Sequence, residues 1–474
     1  MKRQKPLTIL SYAVNGIGMG HLTRLIAINT EIRRICALIN QPLLPLFLTT
    51  SEADTLAHQH SFPAYKLPSM TVADEGRIPK SLYKSLSRHW IWNTFGLWKP
   101  DITLVDTFPA GSFGELPAIL QDSPHNVFIH RAVKSDEMGK ATFKEALRLY
   151  DIVLRIKEPS MKLEDTVDEK LHGEWVDISP IILEKRYSKE AYNQQGKCII
   201  VFGGGGGDEY AETFWQTMAR VAEKFPDKTF IFAVGMLYRG TLPYVQNVQY
   251  IRTEIGKQYY ENCEFAISAG GFNSVYELLY YKIPTIFYSQ YRKFDDQQQR
   301  IERLHENGLC CVGLFSQFEE CVQYISSMTE NKCEFLRKKL HSEKWTLGNI
   351  NAAQIILRSY INNNVLTEAI DIVEANSQFF NTLSIEEEVL FLELLYSTAR
   401  MMNTHGNGYT IALKVSIARE VWDIFTEHSL AKGEIKYLIQ EIPKKNENAY
   451  QLIQQIQQII EKSLKGHSNE IQYI

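Results

Sequence analysis

The stretch FAISAGGFNSVYELLYYKIPTIFY, residues 265–288, contains two strand-like segments separated by a helical one. Apolar runs at 265–268 and 285–288 flank paired glycines and a helical segment at 274–281. Strands that are joined through a helix pair in parallel, because a parallel crossover needs a connection of about that length. The stretch therefore predicts a strand–helix–strand unit within a parallel sheet.

The first half of the chain opens with the same order of strand, glycine-rich turn and helix. An apolar strand at 7–14 precedes the turn at 15–20 and a helix at 21–39. Further apolar runs of strand length follow at 43–49, 101–105 and 127–130. Alternating strands and helices indicate a parallel sheet with helices on both faces.

The second half restarts this order after a polar stretch at 185–197. A strand at 198–202 leads into a run of five glycines and a helix at 208–225, followed by a strand at 229–234. The sequence thus predicts an α/β fold with two Rossmann-like, doubly wound domains. The predicted domains are 1–185 and 186–361.

The last part of the chain, 362–474, differs in kind because its apolar residues recur at helical spacing. It predicts a helical C-terminal extension that mediates an oligomer or binds a partner. Its predicted helices are 389–402, 411–425 and 452–464.

The composition is that of an ordinary globular protein. Of 474 residues, 22% are charged and 45% hydrophobic, and the formal net charge is −4. This balance excludes a protein that coats nucleic acid, which needs a basic excess. No apolar run reaches the roughly 18–20 residues of a membrane span. The seven cysteines form no C-x-x-C pair, so the sequence predicts a reduced, cytoplasmic protein without a zinc site.

The turn NGIGMGH, residues 15–21, joins the first strand to the first helix. Its glycines let a ligand approach the amides at the helix N-terminus, but their spacing is not the G-x-G-x-x-G of a dinucleotide site. His21 is predicted at the carboxyl edge of the sheet, where doubly wound proteins bind ligands. On spacing alone, a ligand-binding turn and a structural turn with an incidental histidine are equal alternatives.

Two further motifs lie in the second half. The glycine run at 203–207 favours a ligand-facing loop over a merely flexible one, although it lacks the Lys-Ser/Thr of a P-loop. Asn273 and Ser274 are predicted to begin a helix as its N-cap, with amides that hold a diphosphate and with Glu277 accepting hydrogen bonds from ribose hydroxyls. A plain capping box, in which Ser274 caps the helix and Glu277 folds back on the amides, is an equal alternative.

Together with the segment SAGGFNSVYELLYYKIPTIFY and the later DDQQQR, these motifs resemble the GT-B glycosyltransferases, most closely the MurG-like group, glycosyltransferase family 28. The segment KPDITLVDTFPAGSFGEL, residues 99–116, also resembles a little-characterised subgroup of predicted glycosyltransferases. Lys282 stands where the family usually has glycine, and Ala269 where it often has Arg or His. The resemblance covers about residues 7–355 and implies two domains that face each other across a cleft. The family signature is matched by Gly271, Asn273, Ser274, Glu277, Pro284, Asp296, Gln297 and Gln298.

The resemblance implies a nucleotide-sugar donor, with UDP as the nucleotide, bound mostly by the second domain. Glu277 would hold the ribose, and Asp296, Gln297 and Gln298 the sugar hydroxyls. Because Asp295-Asp296 is not a D-x-D pair, no metal and no further cofactor is expected. The residues implied at the diphosphate, or across the cleft from it, are Gly203, Gly204, Gly205, Gly206, Gly270, Gly271, Asn273 and Ser274.

In such a transferase, a general base reaches the acceptor hydroxyl from the first domain. His21 and Asp106 are the candidates, because each follows or ends a predicted strand. An imidazole titrates near neutrality, so we favour His21 as the base, with Asp106 as an orienting group or as the second candidate. The acceptor side is predicted to comprise Gly18, Gly20, His130 and Arg131.

An aromatic and basic segment spans residues 84–99 and includes Trp90, Trp92 and Trp98. Burial of these tryptophans beneath the sheet is the favoured interpretation. Contact with a headgroup layer is the alternative, because MurG-like enzymes act on lipid-linked acceptors. That alternative predicts peripheral attachment at the inner face of the membrane.

The sequence hence predicts a glycosyltransferase that uses a nucleotide sugar and an unidentified acceptor, with inversion implied by the resemblance. Two alternatives stay open: a nucleotide-sugar epimerase or hydrolase on the same scaffold, and a non-catalytic subunit that binds sugar nucleotides.

Overall fold

The computed structural model describes residues 5–14, 18–131, 141–158, 173–187, 196–204, 211–292, 294–315, 317–403 and 410–441. The chain divides into two compact units. The larger unit combines Thr8–Asn29 with Pro45–Ala352, and the smaller combines Met1–Leu7, Thr30–Leu44 and Ala353–Ile474.

The first sheet holds seven strands among the described residues, in the order β3-β2-β1-β4-β5-β6-β7. Its strands are β1 (Leu7–Ala13), β2 (Leu43–Thr49), β3 (Ala64–Lys66), β4 (Ile102–Asp106), β5 (Asn126–His130), β6 (Ile152–Ile156) and β7 (Glu174–Ile178). β1 and β4 pair in parallel, with Ile9 opposite Ile102 and Tyr12 opposite Val105. The strand order reverses between β1 and β4, which makes their carboxyl ends a switch point where ligands bind in such sheets.

The second sheet holds six strands among the described residues, in the order β10-β9-β8-β11-β12-β13. Its strands are β8 (Cys198–Phe202), β9 (Thr229–Ala233), β10 (Val248–Ile251), β11 (Cys263–Ala269), β12 (Thr285–Tyr288) and β13 (Cys311–Val312). β11 pairs in parallel with β8 on one side and with β12 on the other, so β8 and β11 form a second switch point.

Apolar residues explain why these strands are central. Every residue of β1 is buried, as are all five residues of β4 and of β5. Helices that cover both faces of a parallel sheet exclude water from both, and such strands are apolar throughout. The helices described along residues 20–357 are α1 (Gly20–Leu38), α2 (Thr55–Gln59), α3 (Met70–Glu75), α4 (Lys80–Trp98), α5 (Pro117–Leu120), α6 (Ala141–Leu147), α7 (Ala211–Ala222), α8 (Lys257–Glu261), α9 (Phe272–Tyr280), α10 (Gln297–Glu306), α11 (Phe318–Ser327), α12 (Glu330–Ser342) and α13 (Asn349–Leu357).

Lys282 adopts the left-handed backbone conformation, with a φ of 59°, just after α9 ends. Glycine adopts this conformation without strain, whereas a residue with a Cβ rarely does. The Lys282 ammonium donates to the carbonyls of Leu340 and Glu343, both at 3.0 Å. These two hydrogen bonds join the Lys282 side chain to the C-terminal end of α12.

The favoured burial of the tryptophans on α4 was wrong for two of them. Trp90 is 58% exposed and Trp92 is 48% exposed. The buried face of α4 is instead made by Tyr83, Ser87, Ile91 and Phe95. That face recurs every four residues, and Trp90 and Trp92 fall outside it.

The helical extension is confirmed in the smaller unit. Its helices are α14 (Asn363–Ala375), α15 (Ser377–Thr382), α16 (Ile385–Asn403), α17 (Ile411–Glu427) and α18 (Lys432–Glu441). The predicted helix at 452–464 lies outside the described residues. Arg34, on the part of α1 that belongs to this unit, is 2% exposed and pairs with Glu388 on α16 at 2.8 Å.

The predicted class is confirmed: two parallel, doubly wound sheets with a helical C-terminal extension. Of the helices in the described ranges, none is both long enough and apolar enough to span a bilayer.

Candidate active site

A cavity of about 670 Å³ lies between the carboxyl edges of the two sheets, within the larger unit. This volume falls in the ~300–1,000 Å³ range of ligand pockets. The first sheet contributes the start of α1, including Gly18, Gly20 and His21. The second contributes Gly204 after β8 and the first turn of α9. Both switch points therefore face one cavity.

His21 lines this cavity and is hydrogen-bonded to Asp106, which is absent from the described cavity lining. The His21 Nδ1 lies 2.6 Å from Asp106 Oδ1, and both side chains are buried. The pairing follows from topology, because His21 begins the helix after β1 and Asp106 ends the neighbouring β4. A carboxylate only accepts, so Nδ1 carries the proton and Nε2 keeps the lone pair of a base.

The pKa values of the pair keep it in the state that a base requires. Burial lowers the pKa of His21, with Arg24 and Arg131 adding to the effect, although Asp106 opposes it. Burial disfavours ionised Asp106, but Arg24 and His21 outweigh it and hold the pKa of that carboxyl well below its usual range. At neutral pH the pair is thus a neutral imidazole beside a carboxylate.

Arg24 is a site residue that the sequence reasoning missed. Its Nε and Nη2 donate to the two oxygens of Asp106 at 2.9 and 2.6 Å. Its Nη1 donates to Asn273 Oδ1, on the second side of the cavity, at 2.9 Å. Arg24 lies three residues after His21 on the same helix face, and this spacing was the available signal.

The predicted N-cap of α9 was wrong. The helix begins at Phe272, and its N-cap is Gly271, which offers no side-chain hydrogen bond. Asn273 instead donates to Gly20 O at 3.2 Å and to Thr23 Oγ1 at 2.6 Å. The capping box of Ser274 and Glu277 is therefore not formed, and both residues line the cavity with Gly271 and Asn273.

The carboxylate of Glu277 has two partners at the cavity, Tyr260 and Lys185. Tyr260 donates its hydroxyl to Glu277 Oε1, and the Lys185 Nζ lies 3.4 Å from Glu277 Oε2. Burial opposes a charged Lys185, but Glu277 and Glu254 outweigh it and raise its pKa. The carboxylate of Glu277 is thus fixed in place at the cavity wall.

Of the three residues that the sequence assigned to the sugar hydroxyls, Asp296, Gln297 and Gln298, the described cavity lining includes only Gln297. Asp295 and Gln297 line the cavity. Asp296 caps α10 by accepting from Gln299 N at 3.1 Å, and Gln298 is exposed and donates to Glu302. The reason is the position of Asp296 as the N-cap residue of α10, because an N-cap carboxylate turns toward the helix amides.

The glycine run contributes one residue to packing and one to the cavity lining. A Cβ at Gly203 would lie 2.4 Å from the Trp215 ring, so only glycine fits beside it. Gly204 lines the cavity, whereas Gly205 and Gly206 lie outside the described residues. Gly270 is likewise a packing position, since a Cβ there would lie 2.6 Å from Ile301 Cγ2.

His130 and Arg131 point in different directions. His130 packs among Phe128, Phe143 and Trp175 and is absent from the described cavity lining. Burial, with Arg155 and Arg131 nearby, lowers its pKa to about 4. Arg131 lines the cavity and donates to Asp295 Oδ1 at 2.7 Å.

Comparison with known proteins gives one local sequence match. The UDP-N-acetylglucosamine--N-acetylmuramyl-(pentapeptide) pyrophosphoryl-undecaprenol N-acetylglucosamine transferase of Thermosipho melanesiensis is 30% identical over 113 residues. The match covers 24% of this chain and 31% of that protein, so the chain spans about a third of the curated relative's length. No protein-family model matches the sequence.

Solved structures extend the likeness to the fold. The glycotransferase of kitacinnamycin superposes with a TM-score of 0.51 at 14% identity, covering 75% of this chain and all of that one. MurG of Acinetobacter baumannii has 15% identity and a TM-score of 0.46, covering 74% of this chain and 99% of that one. By the likeness to the first of these structures, the chain has the GT-B glycosyltransferase fold, and over 113 residues its sequence is similar to that of the curated transferase.

Proposed function

We propose that the protein transfers a sugar from a nucleotide-sugar donor to an acceptor hydroxyl, with inversion at the anomeric carbon. The observation that carries this proposal is the His21–Asp106 pair, whose histidine lines a cavity between two switch points. An imidazole oriented by a buried carboxylate suits the removal of a hydroxyl proton.

In the proposed reaction, the acceptor oxygen forms a bond to the anomeric carbon while the bond from that carbon to the diphosphate breaks. The hydroxyl proton passes to Nε2 of His21, and the nucleoside diphosphate leaves with the bonding electron pair. Asp106 balances the imidazolium that forms. Backbone amides in the first turn of α9 face the diphosphate and stabilise its growing charge.

The donor is proposed to be a UDP-sugar, bound mainly by the second domain at 186–361, with the acceptor on the first domain at 1–185. The curated relative is named as a transferase of UDP-N-acetylglucosamine, which supports this choice. Glu277 would accept from the ribose hydroxyls, and Gln297, which lines the cavity, would contact the sugar. Asp296 and Gln298 are not included, because the described cavity lining leaves them out.

Glu277→Ala is expected to weaken UDP binding by about ten- to a hundred-fold, because hydrogen bonds to a charged group contribute roughly 1.5–3 kcal/mol. Titration calorimetry with UDP measures the change. Glu261→Ala is the control, because Glu261 pairs with Tyr187 and Lys257 and is absent from the described cavity lining. Equal UDP affinity in Glu277→Ala and wild type would remove Glu277 from the donor site.

Turnover is tested with UDP- and dTDP-linked hexoses and N-acetylhexosamines, each incubated with and without a lipid extract as a source of acceptors. Release of nucleoside diphosphate only in the presence of extract supports transfer. Free or isomerised sugar without extract supports the hydrolase or epimerase alternative. Failure to bind any nucleoside diphosphate refutes the transferase, the hydrolase or epimerase, and the non-catalytic subunit that binds sugar nucleotides.

We also propose that α4 rests on an anionic membrane surface at the cytoplasmic side. Leu82, Leu86 and Trp90 recur every four residues on this helix and are about half exposed. Lys84 and Arg88 are exposed between them. An apolar stripe bordered by cations suits a helix that lies in the headgroup layer.

Trp90→Glu is expected to lower the partition of the protein onto phosphatidylglycerol vesicles by about five-fold or more, because it removes an apolar anchor and adds a repelled charge. Cosedimentation with the vesicles provides the measurement. Tyr244→Glu is the matched control, since Tyr244 is 91% exposed in the second domain. If both variants lose the same amount, net charge explains the result and α4 is not the contact surface.

A further inference from the structure

Three guanidinium groups surround one aromatic ring at the start of α9. The carbons Cζ of Arg24, Arg300 and Arg131 lie 5.5, 5.6 and 5.8 Å from the centre of the Phe272 ring. Phe272 is the first residue of this nine-residue helix. The cations therefore gather at the helix end that already carries a partial positive charge.

Two of these arginines use their guanidinium groups in hydrogen bonds and ion pairs with other groups of the protein. Arg300 pairs with Glu158 and Asp295 and also donates to Gly270 O. Arg24 spans both oxygens of Asp106 and reaches Asn273, as described above. Their positive charge is directed toward carboxylates, and each guanidinium is buried.

Arg131 differs from the other two. Its side chain is nine-tenths buried, and Nη1 donates to Asp295 at 2.7 Å. Its Nε is buried and has no hydrogen-bond partner in the described protein. A buried donor without a partner destabilises the protein, and a ligand with acceptor oxygens relieves this. Arg131 lines the cavity and directly follows β5 of the first sheet, opposite α9.

We infer that Arg131 is a diphosphate-binding residue of the nucleotide donor, contributed by the first sheet rather than by the domain that binds the rest of the donor. A planar guanidinium with spare donors suits the oxygens of a phosphate. Asp295 keeps its pairing with Arg300 at 2.8 Å, so a turn of Arg131 toward phosphate leaves that carboxylate with a partner. This inference rests on the proposed nucleotide-sugar function.

The test compares uridine, UMP and UDP by calorimetry, because these ligands share a nucleoside and differ only in phosphate. Arg131→Gln is expected to weaken UDP binding about ten- to a hundred-fold and to leave uridine within two-fold. Arg131→Lys keeps the charge and the means to pair with Asp295, so its UDP loss is expected to be smaller. Arg220→Gln is the control, because its guanidinium lies over the Phe318 ring, 4.9 Å from its centre, and is absent from the described cavity lining.

The outcomes separate this inference from the proposed function. Wild-type protein that binds UDP no better than uridine would contradict the proposed donor site itself. A normal preference for UDP that survives in Arg131→Gln would overturn only the role of Arg131. An equal loss of uridine and UDP in both Arg131 variants would show a structural role and would also overturn the inference.

Discussion

His21→Ala is expected to lower the turnover number by about 10²–10⁴-fold, the range that a general base contributes. UDP affinity should remain within two-fold of wild type, because His21 is assigned to the acceptor hydroxyl and not to the nucleotide. Release of UDP from the donor selected in the turnover screen gives the rate, and calorimetry gives the affinity. His58→Ala is the matched control, since His58 is exposed on α2.

The pH profile gives this prediction a second readout. His21 has a pKa below its usual value of about 6.5, so the neutral base is fully present above that pH. Turnover should fall as the pH drops through the lowered pKa, and His21→Ala should lose this acid limb. If His21→Ala retains both the acid limb of the profile and the wild-type turnover number, His21 is excluded as the base. A loss of UDP affinity larger than the loss of turnover would assign the histidine to the donor.

Arg34→Met is expected to destabilise the smaller unit by about 3–5 kcal/mol, because it removes one partner from a buried ion pair. Arg34 donates to Glu31 at 2.8 Å and to both oxygens of Glu388, and its guanidinium lies 4.8 Å from the Phe380 ring centre. Glu388 is fully buried, so the substitution leaves its carboxylate away from water without this guanidinium. Urea unfolding followed by far-UV circular dichroism measures the loss.

Glu386→Gln is the control on α16, the helix that carries Glu388, because Glu386 forms an exposed pair with Lys432. An exposed pair contributes about 0–1 kcal/mol, so this control should change stability little. Adding Glu388→Gln to Arg34→Met should recover part of the loss, since it removes a buried charge. Equal losses from Arg34→Met and Glu386→Gln would contradict the structural role of the Arg34 cluster.

Much of the fold was predictable because parallel strands bury both faces. The runs at 7–14 and 198–202 are continuous and apolar, and each is followed by glycines and a helix, so strand and crossover could be recognised locally. Short edge strands such as β3 and β13 carry no comparable pattern. Their place in the sheet follows from tertiary pairing.

The site was predictable where the strand order alone brings residues together. His21 and Asp106 each follow or end a strand, and adjacency of β1 and β4 then joins them. The start of α9 was not predictable from capping preferences, because Asn273 uses its side chain for tertiary hydrogen bonds rather than for the helix. Lys185 also escaped notice, since nothing near it in sequence indicates its approach to Glu277.

Asn273 links the proposed donor side of the cavity to the residues that support the proposed base. Its side chain joins the first turn of α9 to Gly20, Thr23 and Arg24 of α1 by hydrogen bonds. Arg24 in turn donates to the carboxylate of Asp106, which is hydrogen-bonded to His21. A donor that shifts this turn of α9 therefore also shifts the support of the base. In the proposed reaction, the position of the nucleotide sugar and the orientation of His21 are therefore coupled through Asn273 and Arg24.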